Sequence, residues 1–183
     1  MQPLSREQID KDYLEQLTTQ SYSAVDLIHG VEIRDLKLLV DDGGAFAELI
    51  RLDDNGNLEV FPDFKVRQSS YSEILPGAIK AFHMHLLQDD VWFTAPTDRL
   101  LVGLLDTRES SPTFNKSMRF VLGGGKAQLL RIPRGVAHGA GNLWVASATL
   151  IYFVSQQFNR EESDEHRLPH DILGPDFWKI IPG

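Results

Sequence analysis

The residues best suited to chemistry stand in the stretch Gly77-Ala-Ile-Lys-Ala-Phe-His83-Met-His85. In an extended strand alternate side chains share a face, so Ile79, Ala81, His83 and His85 point one way and Lys80, Phe82 and Met84 the other. Two imidazoles about 7 Å apart on one inward face are costly to bury without polar partners. They suit a metal ion, or proton transfer near neutral pH, where histidine changes charge. A third histidine follows in Pro133-Arg-Gly135-Val-Ala-His138-Gly-Ala-Gly-Asn142. The expected chemistry is therefore metal binding or acid–base work in an enclosed pocket.

The elements that position these side chains are strands. Segments 31–40, 45–52, 58–61, 64–71, 78–85, 91–95, 100–106, 118–122, 128–132 and 148–155 are short, and most are rich in aliphatic, aromatic or β-branched residues. Turn signals separate them, among them Asp42-Gly43-Gly44, Asp54-Asn55-Gly56-Asn57, Gly123-Gly124-Gly125 and Pro133-Arg134-Gly135. Short strands at this spacing, without helical periods between them, predict an all-β sandwich or barrel. The first twenty residues read as a helix: Ser5 and Gln8 have capping-box spacing, and Ile9, Tyr13 and Leu17 recur on one face. The chain thus divides into a helical arm, 1–29, and a barrel, 30–183, whose tail from Gln156 is irregular and anchored by Phe177 and Trp178. So short an arm needs a surface to pack on, either the barrel or a second subunit.

Composition narrows the function. The chain has 183 residues and no cysteine, which excludes a disulfide framework, a thiolate zinc site and a cysteine nucleophile. A formal charge of −8, from 18 basic and 26 acidic residues, argues against generic binding to nucleic acid or anionic membrane. No apolar run approaches the ~18 residues of a bilayer span, and the N-terminus lacks a signal-peptide core. The expectation is a cytoplasmic protein with a small-molecule ligand or a protein partner.

The histidine phrases resemble the two motifs of the cupin superfamily. Gly77, His83 and His85 match the first, with Asp89 or Asp90 where a glutamate belongs, and Pro133, Gly135, His138 and Asn142 match the second. A narrower resemblance, over residues 30–160, is to the dTDP-4-dehydrorhamnose 3,5-epimerase family, one branch of the cupins. It is carried by Leu36-Lys-Leu-Leu-Val-Asp-Asp-Gly-Gly44-Ala-Phe-Ala-Glu48, Gln68-Ser-Ser-Tyr-Ser72, Pro76-Gly-Ala-Ile-Lys-Ala-Phe-His83, Asp106-Thr-Arg108, Ser111-Pro-Thr-Phe-Asn-Lys116, Ile132-Pro-Arg-Gly-Val-Ala-His-Gly139 and Ile151-Tyr152. The resemblance implies an antiparallel jelly-roll barrel and an enzyme that epimerises carbons beside the keto group of a nucleotide-linked sugar. It also implies a homodimer that exchanges N-terminal strands. It casts His83 as the base and Tyr152 as the acid on the opposite face. Lys80 and Lys116 fall at cationic positions that serve the nucleotide phosphates, and Gln68 and His138 line the substrate pocket.

The chain departs from the family at several positions. The family's Asp-x-Arg-Gly reads Asp41-Asp42-Gly43-Gly44, and the lysine that steadies the enolate has no counterpart in Gln88-Asp-Asp-Val-Trp-Phe93. The usual His-Tyr-Gln has become His83-Met84-His85, and the base's aspartate partner is missing, with Asp171 or Asp176 as substitutes. A divalent metal (zinc, nickel, iron or manganese) on His83, His85, His138 and Asp90 would replace the lysine as electrophile. A histidine that binds metal through its free lone pair cannot also be the base, so His83 cannot hold both roles. Two other readings stay open: a metal-dependent cupin isomerase, dioxygenase or lyase on a small acid or sugar, and a non-catalytic sugar-binding cupin. Asp89 and Asp90 otherwise read as solvated turn residues. The run Glu161-Glu162-Ser163-Asp164-Glu165 reads as a solvated loop, and His166 and His170 as exposed.

Overall fold

Alternation of side chains along each strand divides this molecule into layers. The computed structural model describes residues 2–19 and 26–181. Its strands are β1 (Glu32–Asp35), β2 (Leu39–Asp41), β3 (Gly44–Phe46), β4 (Asn57–Leu58), β5 (Phe61–Lys65), β6 (Gln68–Ile74), β7 (Ile79–Met84), β8 (Asp90–Phe93), β9 (Arg99–Asp106), β10 (Ser117–Gly123), β11 (Gln128–Ile132), β12 (Val136–Gly141), β13 (Ala148–Val154) and β14 (His166–Arg167). They form two five-stranded sheets, β1-β11-β8-β13-β6 and β10-β9-β12-β7-β14, and two hairpins, β2-β3 and β4-β5. The pairings within both sheets are antiparallel. This is the jelly-roll architecture.

The sheets face one another across a core to which β9 gives Leu100, Val102 and Leu104, and β8 gives Trp92. Burying such a side chain contributes about 1.5–3 kcal/mol. The alternate residues of the same strands are buried as well, on the outer faces. Val91 and Phe93 pack under Phe61 and Phe64, while Leu101 and Leu105 pack with Phe82 and Trp178. The C-terminal tail thus covers the outside of the second sheet. Gly103 makes room for it: a Cβ there would lie 2.5 Å from Phe177 and 2.9 Å from Trp178.

Three expectations change. The predicted N-terminal helix is reduced to a 3-10 turn at Arg6–Gln8 and one α-turn at Lys11–Leu14. Ile9 is extended, Asp10 caps a new start by accepting from the Asp12 N–H, and Tyr13 and Leu17 remain exposed. With no apolar face buried, a longer isolated helix has nothing to stabilise it. Ile28 and Val31 already belong to the core, so the barrel begins a few residues before residue 30. Segment 45–52 is strand only to Phe46; Leu49 and Ile50 lie in irregular chain packed on the outer face of the first sheet. No described helix is long and apolar enough to cross a membrane.

Candidate active site

Between the sheets lies a cavity of about 430 Å³, and His83, His85, His138, Asp90, Trp92 and Tyr152 all line it. His83 stands on β7 of one sheet, and Tyr152 on β13 of the other. Tyr152 pairs with Trp92 across β13 and β8, and the Trp92 ring meets His138 edge-on, with centroids 5.1 Å apart. Tyr152, His85 and Gln88 also border an adjoining pocket of about 400 Å³.

The position of Lys80 is a correction. Regular alternation turns it away from His83, but the β12–β7 register slips by one residue: His138 pairs with His83, and Ala140 with Lys80. Because His138 and Ala140 share a face, Lys80 is rotated onto the face of His83 and lines the cavity. Its ammonium donates to Ser72 Oγ at 2.8 Å and to the Glu73 carbonyl at 3.1 Å.

His83 has a carboxylate partner that the sequence does not signal. Its Nδ1 lies 2.7 Å from Glu165 Oε1. A carboxylate only accepts, so Nδ1 donates, which makes Nε2 the lone-pair nitrogen of the neutral ring. Burial pushes the Glu165 carboxyl up, but the hydrogen bond and charge of His83, with Arg167 and His85, outweigh it and hold the carboxyl below its usual range. The short β14 strand brings Glu165 here, since Arg167 pairs with His83 and His166 with Met84. Asp164 pins the same loop by accepting the backbone N–H groups of Leu86, Leu87 and Gln88. The acidic run is therefore an ordered wall of the site at its last two residues, not a solvated loop. Asp171 and Asp176, the partners considered from sequence, are exposed, and Asp176 pairs with Lys179.

The other two histidines form a group with Asp90. Ligand atoms of His85, Asp90 and His138 all lie within 4.8 Å of one another, and all three residues are buried. His83 is outside this group; its ring is stacked 6.3 Å from that of His138. The predicted four-residue metal set thus divides into a three-residue cluster and a separate, carboxylate-paired histidine. Burial pushes His138 down to about 4, against the charge of Asp90 and with that of His85, so the ring is neutral at pH 7. Asp89 and Asp90 are buried rather than solvated. Asp89 is held by Arg134 at 3.0 Å.

The remaining candidates divide. Gln68 borders the adjoining pocket, where its Oε1 accepts the Phe158 N–H at 3.0 Å. Lys116 is not brought to either cavity: its ammonium pairs with Asp26. Arg167, which the sequence did not single out, lines the main cavity and donates to Glu165 at 3.0 Å. His166 and His170 are exposed as expected.

Comparison with known proteins gives the family. A sequence profile of the dTDP-4-dehydrorhamnose 3,5-epimerase family matches residues 26–177. The chain is 43% identical over 145 residues to a spore coat polysaccharide biosynthesis protein of Bacillus subtilis, covering 79% of this chain and 91% of that one. It is 35% identical over 144 residues to a probable low-salt glycan biosynthesis epimerase of Haloferax volcanii, covering 79% and 89%. Its structure is similar to that of a dTDP sugar isomerase from Desulfovibrio desulfuricans, with a TM-score of 0.69 at 26% identity over 82% of this chain and 91% of that one. Fold, cavity and sequence agree that the chain belongs to the dTDP-4-dehydrorhamnose 3,5-epimerase family, whose members are sugar-nucleotide epimerases.

Proposed function

We propose that this enzyme inverts a carbon beside the carbonyl of a nucleotide-linked keto sugar, with His83 as base and Tyr152 as acid. One observation carries the reading: a histidine oriented by Glu165 and a tyrosine enter one cavity from opposing sheets. Inversion needs this arrangement. The carbonyl acidifies the adjacent C–H, the base removes that proton on one face, and the acid returns a proton on the other. Glu165 holds the imidazole with Nε2 free to accept and offsets the charge the ring gains.

The cationic groups at the cavity support a substrate that carries a phosphorylated arm. Lys80 spends two of its three donors on Ser72 and Glu73, and Arg167 spends one on Glu165. Both keep donors for a diphosphate. A homodimer goes with the reading, supported by the β2-β3 hairpin, where the paired Leu39 and Phe46 are 49% and 65% exposed on one face, which a second copy would cover.

The test is solvent deuterium incorporation into a panel of nucleotide-linked 4-keto-6-deoxy sugars, followed by mass spectrometry. At least one sugar should gain deuterium at a carbon flanking the carbonyl, and His83→Asn should slow this by about 10²-fold or more. No incorporation into any of them would remove the reading.

A further inference from the structure

Tail residues 159–165 read Asn-Arg-Glu-Glu-Ser-Asp-Glu, without one apolar side chain, so apolar burial cannot hold them against the barrel. Polar bonds must, and Asp164 makes most of them. Its carboxylate accepts the backbone N–H of Leu86 at 2.9 Å through Oδ1, and those of Leu87 and Gln88 at 2.8 Å and 3.1 Å through Oδ2. Its main-chain carbonyl accepts from His85 Nδ1 at 2.8 Å. Among the described residues, the one other hydrogen bond from 159–165 to any residue before 155 is that between Glu165 and His83. The facing segment is as bare. Residues 85–89 connect β7 of one sheet to β8 of the other, and Leu86 and Leu87 are exposed. Three consecutive backbone donors at a crossing between the sheets are thus satisfied by a single side chain 76 to 78 residues further along the chain.

We propose that Asp164 is a positioning residue for His83: its carboxylate clamps the tail to the 85–89 connection and so sets the place from which Glu165 meets the imidazole. The role rests on the epimerase reading above, in which His83 is the base. Glu165 follows Asp164 directly, so a displacement of one is passed to the other. Beyond Glu165 the tail is held by the two residue pairs of β14 and by the reciprocal backbone bonds of Leu168 and Phe82. Before Glu165, Asp164 alone supplies the hold. Fixed on both sides, the Glu165 carboxylate keeps its 2.7 Å contact with Nδ1, and such a contact weakens steeply with misalignment. The clamp also joins two walls of the adjoining pocket, Leu87 and Gln88 from the connection and Asn159 and Glu162 from the tail. The charge matters as well as the shape. Hydrogen bonds to a carboxylate are roughly twice as strong as those between neutral groups, and three of them converge here.

Asp164→Asn tests this, because the side-chain amide keeps the shape while its nitrogen cannot accept from a backbone N–H. Three measurements on the full chain are needed: amide hydrogen exchange, the imidazole nitrogen resonances of His83, and steady-state kinetics on an accepted keto sugar. The amides of Leu86, Leu87 and Gln88 should exchange about 10-fold faster or more, while those of β9 stay unchanged and report an intact fold. His83 should lose its fixed Nδ1-protonated form and show mixed tautomers. The kcat should fall by about 10-fold or more, with a smaller change in KM. Glu161→Gln, the same loss of charge at an exposed position of the same run, should alter none of these. Unchanged His83 resonances in Asp164→Asn would overturn the proposal. So would equal effects of Glu161→Gln, which would mean that the run acts through its charge alone. Faster exchange throughout β9 would also overturn it, by making Asp164 a residue of general stability. Loosened 86–88 amides and mixed His83 tautomers, in a protein whose wild type exchanges deuterium into no keto sugar, would support the clamp and remove the epimerase reading instead.

Discussion

Glu165 and His83 are 82 residues apart in the chain, and their side chains meet at 2.7 Å. The contact depends on β14, only two residues long, which lays the tail along the edge of β7. Arg167 reaches the same oxygen of Glu165 at 3.0 Å. The pair therefore joins the tail's backbone pairing to the orientation of the proposed base. Replacing Glu165 with Gln keeps the shape and an oxygen that can accept from Nδ1, but removes the charge that supports a protonated His83. We expect kcat for exchange to fall by about 10²-fold while KM changes little, as steady-state kinetics on an accepted keto sugar would measure.

Tyr152 predicts a different signature. If His83 removes the proton and Tyr152 returns one from the opposite sheet, Tyr152→Phe blocks only the second step. Deuterium should still exchange into the starting sugar through His83, with its configuration retained. Formation of the inverted product should fall by about 10²-fold. Nuclear magnetic resonance of the sugar ring separates the two outcomes, and equal loss of both would assign Tyr152 to binding.

Much of this site is legible in the sequence, and what is not has physical causes. The strand alternation that places His83 and His85 on one face holds locally. It fails at Lys80, because pairing β7 to β12 inserts a register slip that no periodicity encodes. Strand β12 itself goes unrecognised: Val136-Ala-His-Gly-Ala-Gly141 has the composition of a loop. Its glycines answer to neighbours rather than to local propensity. Glu165 is hidden because an acidic run is ordinarily solvated, and only the tail's antiparallel pairing turns one member inward. Asp90, by contrast, stands where the motif spacing puts an acidic ligand. Its burial could not be read from a segment that looks like a turn.

Gly139 gives a direct test of that account. A Cβ at this position would lie 2.2 Å from Ala81 Cβ and 2.7 Å from Ala81 Cα, both on the strand that carries His83. Neither atom is the end of a flexible side chain, so relief requires β7 and β12 to separate. Gly139→Ala should cost about 1–3 kcal/mol, a drop in Tm of roughly 2–12 °C for a domain of this size. Because β7 moves, exchange activity should fall further than the folded fraction does, as a thermal melt and a rate measured on the same sample would show.

The acid sensitivity of the fold should be governed in large part by Asp106. Its side chain is fully buried and is bound by Arg108 Nε at 2.8 Å and Thr113 Oγ1 at 2.7 Å, with Ser111 as a further donor. Arg108 also donates to the His29 carbonyl at 2.6 Å, so this one carboxylate ties the 106–116 loop to the start of the barrel. Burial pushes its carboxyl up, but the bonds from Arg108, Ser111 and Thr113 outweigh it and hold the group well below the ordinary 3.8. The unfolded chain therefore takes up a proton at a higher pH than the folded one. The stabilisation is complete above about pH 4 to 5 and is lost progressively as the pH falls below 3.8 toward the folded value. Asp106→Asn lacks this proton linkage and leaves Arg108 without its partner. It should lower stability at pH 7 by about 3 kcal/mol, and its stability should then vary less than that of the wild type between pH 5 and pH 3. Denaturant melts of both proteins across that range would show the two curves converging in acid. Parallel curves would place the acid sensitivity elsewhere in the fold.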